Sequence, residues 1–414
     1  MTFSPHQSTR RELLLASGVL FAWAYLPRIA LAEGRDPRLL VVVLRGALDG
    51  LATVAPVGDP DWLRLRGDDA LTLEGANPAL RLDGFFALNP AMTNLHRLYQ
   101  SGQATIVHAA ATPYRERSHF DGQDVLESGL ARPGLAESGW LNRALGSMPA
   151  AGRVNPSQAF AVGPIAPLVA RGPAPVLSWT PPRLQPASND TMSRLLDLYR
   201  HTDSGLAHAL EERRALTAIE QAGAMDVSPT RRPATPGVPG AAVRAYFSDA
   251  TSAAAKFMAQ PDGPRVGAIA FDGWDTHANE GAANGRLAAL LGALDGAIGA
   301  VESSMGEAWR ESVVAVVTEF GRTARINGTE GTDHGTATVA LLAGGALKGG
   351  RVVADWPSVS ETNLYEGRDL RPTIDLRAVM KGILKDHLRA DERALAKDVF
   401  PGSQTVKPFA GLIA

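Results

Sequence analysis

Arg38-Leu39-Leu40-Val41-Val42-Val43-Leu44 is the stretch that decides the fold class. Its apolar positions run on without alternation, which predicts a strand buried on both faces, as in a parallel sheet. The strand stops at Arg45-Gly46-Ala47-Leu48-Asp49-Gly50, a turn that holds a single acidic residue. Outward from it, apolar runs at 104–109, 266–270, 312–317 and 338–342 read as further strands. Helical patterns lie between and after them, at 92–99, 118–126, 241–258, 285–304 and 375–388. In the longest of these, Leu287, Leu290, Leu291, Leu294 and Ile298 recur at helical spacing. Strand, helix and strand in repetition imply an α/β fold with a mostly parallel sheet covered on both faces. Ligands of such sheets sit outside the carboxyl ends of the strands.

The ends of the chain's strands are where its chemistry-bearing residues fall. Asp49 follows the first strand. Gly273-Trp274-Asp275-Thr276-His277 follows another, Thr318-Glu319-Phe320-Gly321-Arg322 ends a third, and Gly331-Thr332-Asp333-His334-Gly335 precedes a fourth. Asp275 and His277 are two apart, so an extended backbone presents both to one side in chelating geometry. The bland alternative is a turn in which Asp275 caps the next helix and His277 packs. Glu319 is either a metal ligand or an ion-pair partner for Arg322, whose planar fork suits a phosphate or sulfate oxyanion. Asp333 is either a turn cap or part of the site, and His334 enters a core strand where an unpaired imidazole is costly. Ser118 with Asp121 has the form of a capping box. The same helix N-terminus also activates a hydroxyl, so Ser118 is a candidate nucleophile, with Thr112 competing for that task. His96, His108, His201, His208 and His387 have no partner at a telling spacing and read as packing or surface residues.

Composition narrows the chemistry. The chain has 414 residues, 45% of them hydrophobic, and a formal charge of -2. Nothing there favours nucleic acid, which requires clustered Lys and Arg. Cysteine is absent, so disulfides, thiolate nucleophiles and Cys-ligated zinc are excluded. Any metal is therefore held by Asp, Glu and His, a donor set open to zinc, manganese, magnesium or calcium. A Gly-x-Ser-x-Gly elbow, a Walker A loop, a Gly-x-Gly-x-x-Gly fingerprint and His-Glu-x-x-His are all missing, which argues against esterase, nucleotide, dinucleotide and zincin readings.

Residues 1–32 read as a targeting segment. Arg10-Arg11 precede an apolar stretch that ends at Ala30-Leu31-Ala32, a small-x-small cleavage pattern. Paired arginines indicate twin-arginine export, with the translocation machinery as partner and the periplasm as destination. Gly18 and Pro27 break the apolar run, so no permanent membrane span is expected. Cleavage after Ala32 removes three arginines and one glutamate, moving the formal charge from -2 to -4. The remaining 33–414 reads as one domain, with two helices at 191–224 and a Pro-rich surface loop near 226–240.

Taken together, Arg45–Gly50, Arg117-Ser118-His119-Phe120-Asp121-Gly122-Gln123 and the three motifs around Asp275, Glu319 and His334 resemble the signatures of a bacterial family. It is the twin-arginine-exported "domain of unknown function 1501" family, of the alkaline phosphatase-like superfamily. The resemblance runs from about Leu39 to the C-terminus. It implies a three-layer α/β sandwich, one or two divalent metals beside a Ser or Thr nucleophile, and a small-molecule or glycan ester of phosphate or sulfate as substrate. By order along the chain, Asp49 matches the first metal-binding Asp, Ser118 the nucleophile, Asp275 and His277 the acidic-histidine pair, and His334 the last metal-binding His. Asp333 is either a ligand or a partner of one. Where the superfamily has Asp-His, this chain has Glu319-Phe320, which removes one ligand and argues against a fully occupied dinuclear site. A cysteine-derived sulfatase aldehyde is excluded, and Ser228-Pro229-Thr230-Arg231 has the wrong spacing for its serine counterpart. The expected activity is metal-dependent ester hydrolysis, with Arg322 countering developing charge. The alternative is a periplasmic binding or envelope-assembly protein that keeps the fold and a structural metal without catalysis.

Overall fold

Leu39, Val41 and Val43 face one core and Leu40, Val42 and Leu44 the other, so the opening strand is buried from both sides as its composition requires. We describe a computed structural model, in which residues 35–134, 136–148, 159–163, 165–179, 241–261 and 263–414 are described. The export segment, the helices expected at 191–224, the Pro-rich loop near 226–240, and His201 and His208 lie outside the described residues. Pro37–Ala414 forms one compact unit.

In chain order the strands are β1 (Arg38–Arg45), β2 (Val54–Ala55), β3 (Leu80–Arg81), β4 (Ala87–Leu88), β5 (Ala104–Ala111), β6 (Ala159–Val162), β7 (Val176–Trp179), β8 (Val266–Asp272), β9 (Ser312–Thr318), β10 (Thr338–Ala343), β11 (Arg351–Val353) and β12 (Ile374–Asp375). The main sheet has the order β11-β5-β10-β9-β1-β8-β6-β7, with β12 added beside the end of β5. β10 runs antiparallel to both neighbours, and every other pairing in this sheet is parallel. β2, β4 and β3 form a small antiparallel sheet of their own.

The principal helices are α1 (Gly50–Thr53), α2 (Thr93–Gln100), α3 (His119–Ser128), α4 (Trp140–Ser147), α5 (Ala241–Ala259), α6 (Arg286–Met305) and α7 (Leu376–Asp386). Leu95 and Leu98 of α2, Phe247 and Met258 of α5, and Leu287, Leu291 and Ile298 of α6 pack on one face of the sheet. Leu126 of α3, Trp140 and Leu141 of α4, and Val379 and Ile383 of α7 pack on the other. The result is three layers, as expected. α6 passes for a membrane span by length and apolarity, yet its leucines are core residues of this sandwich.

Register brings the site together. Leu44 pairs with both Phe271 and Thr318, so β1, β8 and β9 end level with one another. Because β10 is antiparallel, it begins where its neighbours end: Thr338 pairs with Ala110, near the end of β5. A motif placed before β10 therefore meets motifs placed after β1, β5, β8 and β9.

Candidate metal centre

Gly46, just after β1, is the hub of this edge. Its amide donates to Glu319 Oε1 (2.8 Å), and a Cβ built on it would lie 2.5 Å from the Asp275 nitrogen at a φ of +121°. Only glycine allows that approach. Beyond it, Trp274 is fully buried and Thr332 N donates to the Thr276 carbonyl (3.2 Å). Asn279 and Glu280 amides donate to the carbonyls of Thr329 and Glu330 (3.0 and 2.8 Å). The His277 carbonyl accepts from Asn327 Nδ2 (3.0 Å) and Thr329 Oγ1 (2.7 Å). The loops carrying Asp275/His277 and Asp333/His334 are thus laced into one support.

Three imidazoles converge on Asp275. His277 Nε2 is 3.1 Å and His334 Nε2 3.7 Å from Asp275 Oδ1, and His119 Nε2 is 3.5 Å from Oδ2. His119, Asp275 and His334 each offer a ligand atom, all within 4.8 Å of one another. His277 Nε2 and His334 Nε2 are 3.0 Å apart.

The outer nitrogen of each ring meets an oxygen. His119 Nδ1 lies 2.9 Å from Glu319 Oε1, His334 Nδ1 2.8 Å from the Arg117 carbonyl, and His277 Nδ1 3.4 Å from Asp333 Oδ1. Burial opposes ionisation of Glu319, but the His119 bond and amide donors outweigh it and hold its carboxyl below the usual range. A carboxylate and a carbonyl only accept, so Nδ1 carries a hydrogen in His119 and His334, and in the neutral ring Nε2 keeps a lone pair. The 3.0 Å between His277 Nε2 and His334 Nε2 requires either a hydrogen on His277 Nε2, donated to His334, or a cation held by both nitrogens. Ligand atoms about 2.0–2.1 Å from a tetrahedral metal stand about 3.3 Å from each other. The spacings of 3.0, 3.1, 3.5 and 3.7 Å around Asp275 and His334 lie near that value.

Charge around the cluster is divided. The bond to Glu319 raises the His119 pKa despite burial. For Asp275, burial is outweighed by the neighbouring His334 and the Arg322 guanidinium, which hold it far below the ordinary carboxylate range. The Asn327 bond lowers Asp333 likewise. Asp275 and His277 keep 42% and 45% of their side-chain surface, so the centre opens to solvent.

The structure places several expected site residues outside this cluster. Asp49 caps α1 through Leu51 and Ala52, and its carboxylate pairs with Arg66 at 2.7 and 3.0 Å, both side chains 1% exposed. Its lone pairs are taken up by that ion pair. Glu319 stands behind His119 and also accepts from Thr318 Oγ1 (2.9 Å) and Gln123 Nε2 (3.2 Å). It pairs with His119 and not with Arg322. Arg322 is fully buried and donates through Nη2 to Asp275 Oδ1 (2.7 Å), so it clamps that carboxylate. Asp333 supports His277 and accepts from Asn327 (3.1 Å). Ser118 precedes α3 without forming the expected capping box. Its amide donates to Tyr114 Oη (3.1 Å), and Asp121 accepts from the same hydroxyl (3.3 Å). Thr112 is buried and donates to the Glu319 carbonyl (3.3 Å). Phe320 stacks on His119, rings 5.1 Å apart, and supplies an apolar wall, in keeping with the loss of a ligand at this position. His119 itself was not among the expected ligands. Its sequence signal is the imidazole beside Ser118, and its partner Glu319 lies 200 positions away. His108 and His387 are core residues, and His96 bonds the Arg81 carbonyl.

The family described as "Protein of unknown function (DUF1501)" matches residues 36–400. The chain belongs to the DUF1501 family. No curated protein matches this DUF1501 chain. Among solved structures it is distantly similar to Ps i-CgsB in complex with k-i-k-neocarrahexaose: 10% identity over 90% of this chain and 77% of that one, TM-score 0.41. The phosphonate monoester hydrolase of Agrobacterium radiobacter shows 11% identity over 77% and 70%, with a TM-score of 0.34. The C-terminal periplasmic domain of EcEptC from Escherichia coli, in complex with Zn, shows 9% over 75% and 74%, with a TM-score of 0.29.

Proposed function

We propose that this chain holds one transition-metal dication on His119, Asp275, His277 and His334 and hydrolyses a phosphate or sulfate ester there. The observation that carries the metal is the convergence of ligand atoms from His119, Asp275 and His334 within 4.8 Å of one another, with His277 Nε2 3.1 Å from Asp275. Three imidazoles and one carboxylate suit zinc, manganese or iron(II) and do not suit magnesium or calcium, which take oxygen. A bound dication supplies Lewis acidity toward an ester oxygen. Arg322 keeps Asp275 ionised as a ligand, and Glu319 turns the Nε2 of His119 inward. Ser118, one residue before His119 at the start of α3, is the candidate nucleophile. The ester class rests on the motif resemblance, and the periplasmic location on the paired arginines and the Ala30-Leu31-Ala32 pattern.

One observation favours a second reading. The tight cluster consists of Asp and His alone, and Ser118 turns its amide to Tyr114. That arrangement suits an exported binding or envelope-assembly protein with a structural metal. The deciding experiment is an assay of metal-loaded protein on aryl phosphates, phosphodiesters and aryl sulfates, beside Ser118→Ala and His277→Ala/His334→Ala. Turnover abolished by the double substitution supports the hydrolase. Stoichiometric metal without turnover on any ester overturns it and leaves the binding protein.

A further inference from the structure

We infer that Asp369 is a positioning residue for this centre: acting through Arg117 and Arg368, it fixes both the tautomer and the placement of His334. The inference rests on the metal-centre reading above. His334 is gripped at two points. Its Nδ1 lies 2.8 Å from the Arg117 carbonyl, and its own carbonyl accepts from Arg368 Nη2 (2.7 Å). Both arginines converge on Asp369. Arg117 Nε and Nη2 donate to Asp369 Oδ2 (2.9 and 2.8 Å), and Arg368 Nε is 3.2 Å from Oδ1. The Asp369 side chain is 0% exposed and touches no metal-ligand atom itself.

Arg117 has a φ of +63°, the left-handed region that non-glycine residues hold only where their surroundings enforce it. The enforcement here is the fork onto Asp369, helped at the surface by Glu366. With Arg117 so turned, its carbonyl is aimed at His334. A carbonyl accepts only, so the imidazole hydrogen stays on Nδ1 and the Nε2 lone pair faces Asp275 and His277. Asp369 is itself immobilised. Tyr365 N donates to its carbonyl (2.8 Å), Ala324 N to the Arg368 carbonyl (2.9 Å) and Ala337 N to the Leu370 carbonyl (3.4 Å). This ties the 365–370 segment to the backbone on both sides of the His334 loop. Removing the Asp369 charge takes away the partner that Arg117 and Arg368 share and frees Arg117 to relax, which takes the carbonyl away from Nδ1.

The test uses the full chain and two variants, Asp369→Asn and Arg117→Lys, the second keeping the positive charge while losing the fork. In metal-free protein, long-range 15N histidine spectra report the tautomer of His334, assigned with His334→Gln. Cobalt(II) titration followed by visible absorption reports the ligand set. Wild type is expected to show the Nδ1–H form alone. Either variant should mix in the Nε2–H form, weaken cobalt binding about 10- to 100-fold and leave the His119 and His277 signals in place. Asp369→Glu should restore part of both effects. An unchanged His334 tautomer with unchanged cobalt affinity in whichever variant folds overturns the role of Asp369. Absence of cobalt binding by wild type instead overturns the metal centre, and the tautomer in metal-free protein still decides whether Asp369 positions His334.

Discussion

His108 and Glu280 titrate in opposite senses, and the opposition sets how stability responds to pH. His108 is buried on β5, its Nε2 donating to the Val54 carbonyl (2.9 Å) and its ring stacked on Phe86. Burial pushes its pKa from 6.5 down to about 4. Glu280 is 2% exposed and accepts the Thr332 hydroxyl (2.7 Å). Burial first, then the charge of Asp49, push it from 4.5 up to about 7. Between pH 4 and 6.5 the unfolded chain binds a proton at His108 that the folded chain lacks, so this group makes folding more favourable as pH rises. Between pH 4.5 and 7 the folded chain binds the extra proton at Glu280, so this group makes folding less favourable as pH rises. Each slope is about 1.4 kcal/mol per pH unit. In the shared window, pH 4.5 to 6.5, they cancel. His108→Gln should therefore uncover a loss of about 3 kcal/mol from the acid to the neutral end of that window, and Glu280→Gln a gain of similar size. The assay is urea denaturation followed by tryptophan fluorescence, with a chelator present. Subtracting wild type at each pH removes the titrating groups that do not interact with the substituted residue, and for Glu280→Gln the difference includes its interaction with Asp49. If Glu280→Gln leaves the pH dependence of wild type untouched, Glu280 ionises normally and the reasoning about its buried setting fails.

Three further outcomes follow from the geometry. Asp49→Asn keeps a cap for α1 but strands the buried Arg66 charge, so it should cost about 3–5 kcal/mol in urea denaturation while metal stoichiometry stays at the wild-type value; loss of metal with full stability would make Asp49 a ligand after all. Glu319→Gln should weaken metal binding about 10- to 100-fold in a competition titration, because His119 loses the carboxylate that turns it inward, and unchanged affinity would remove Glu319 from the account. Arg10→Lys/Arg11→Lys should leave the folded protein in the cytoplasm of a bacterial host on cell fractionation, whereas continued export would point to the general secretory route.

The sheet was legible because buried parallel strands must be apolar on both faces, and Leu39–Leu44 shows that without help from distant residues. The place of His334 was not legible, because an apolar run does not announce its direction in the sheet. A motif before a strand reaches this edge only if that strand runs backwards, which β10 does. What local spacing did not carry was pairing across the chain. Asp49 stands after a strand as a ligand would, and nothing around it announces Arg66, delivered by the short helix Trp62–Arg66. Glu319 has Arg322 three residues on, yet the strand end turns that guanidinium to Asp275 and leaves Glu319 to His119. His119 was hidden by its neighbour. The Ser118–Asp121 pattern invites a capping box, and Tyr114 takes up both residues instead.

The most direct test of the central claim is the metal content, by mass spectrometry, of the full chain purified without added metal, beside His277→Ala/His334→Ala. The account predicts about one equivalent of a transition metal in wild type, lost in the double substitution. No metal in wild type, and no stabilisation by added zinc or manganese, would contradict it.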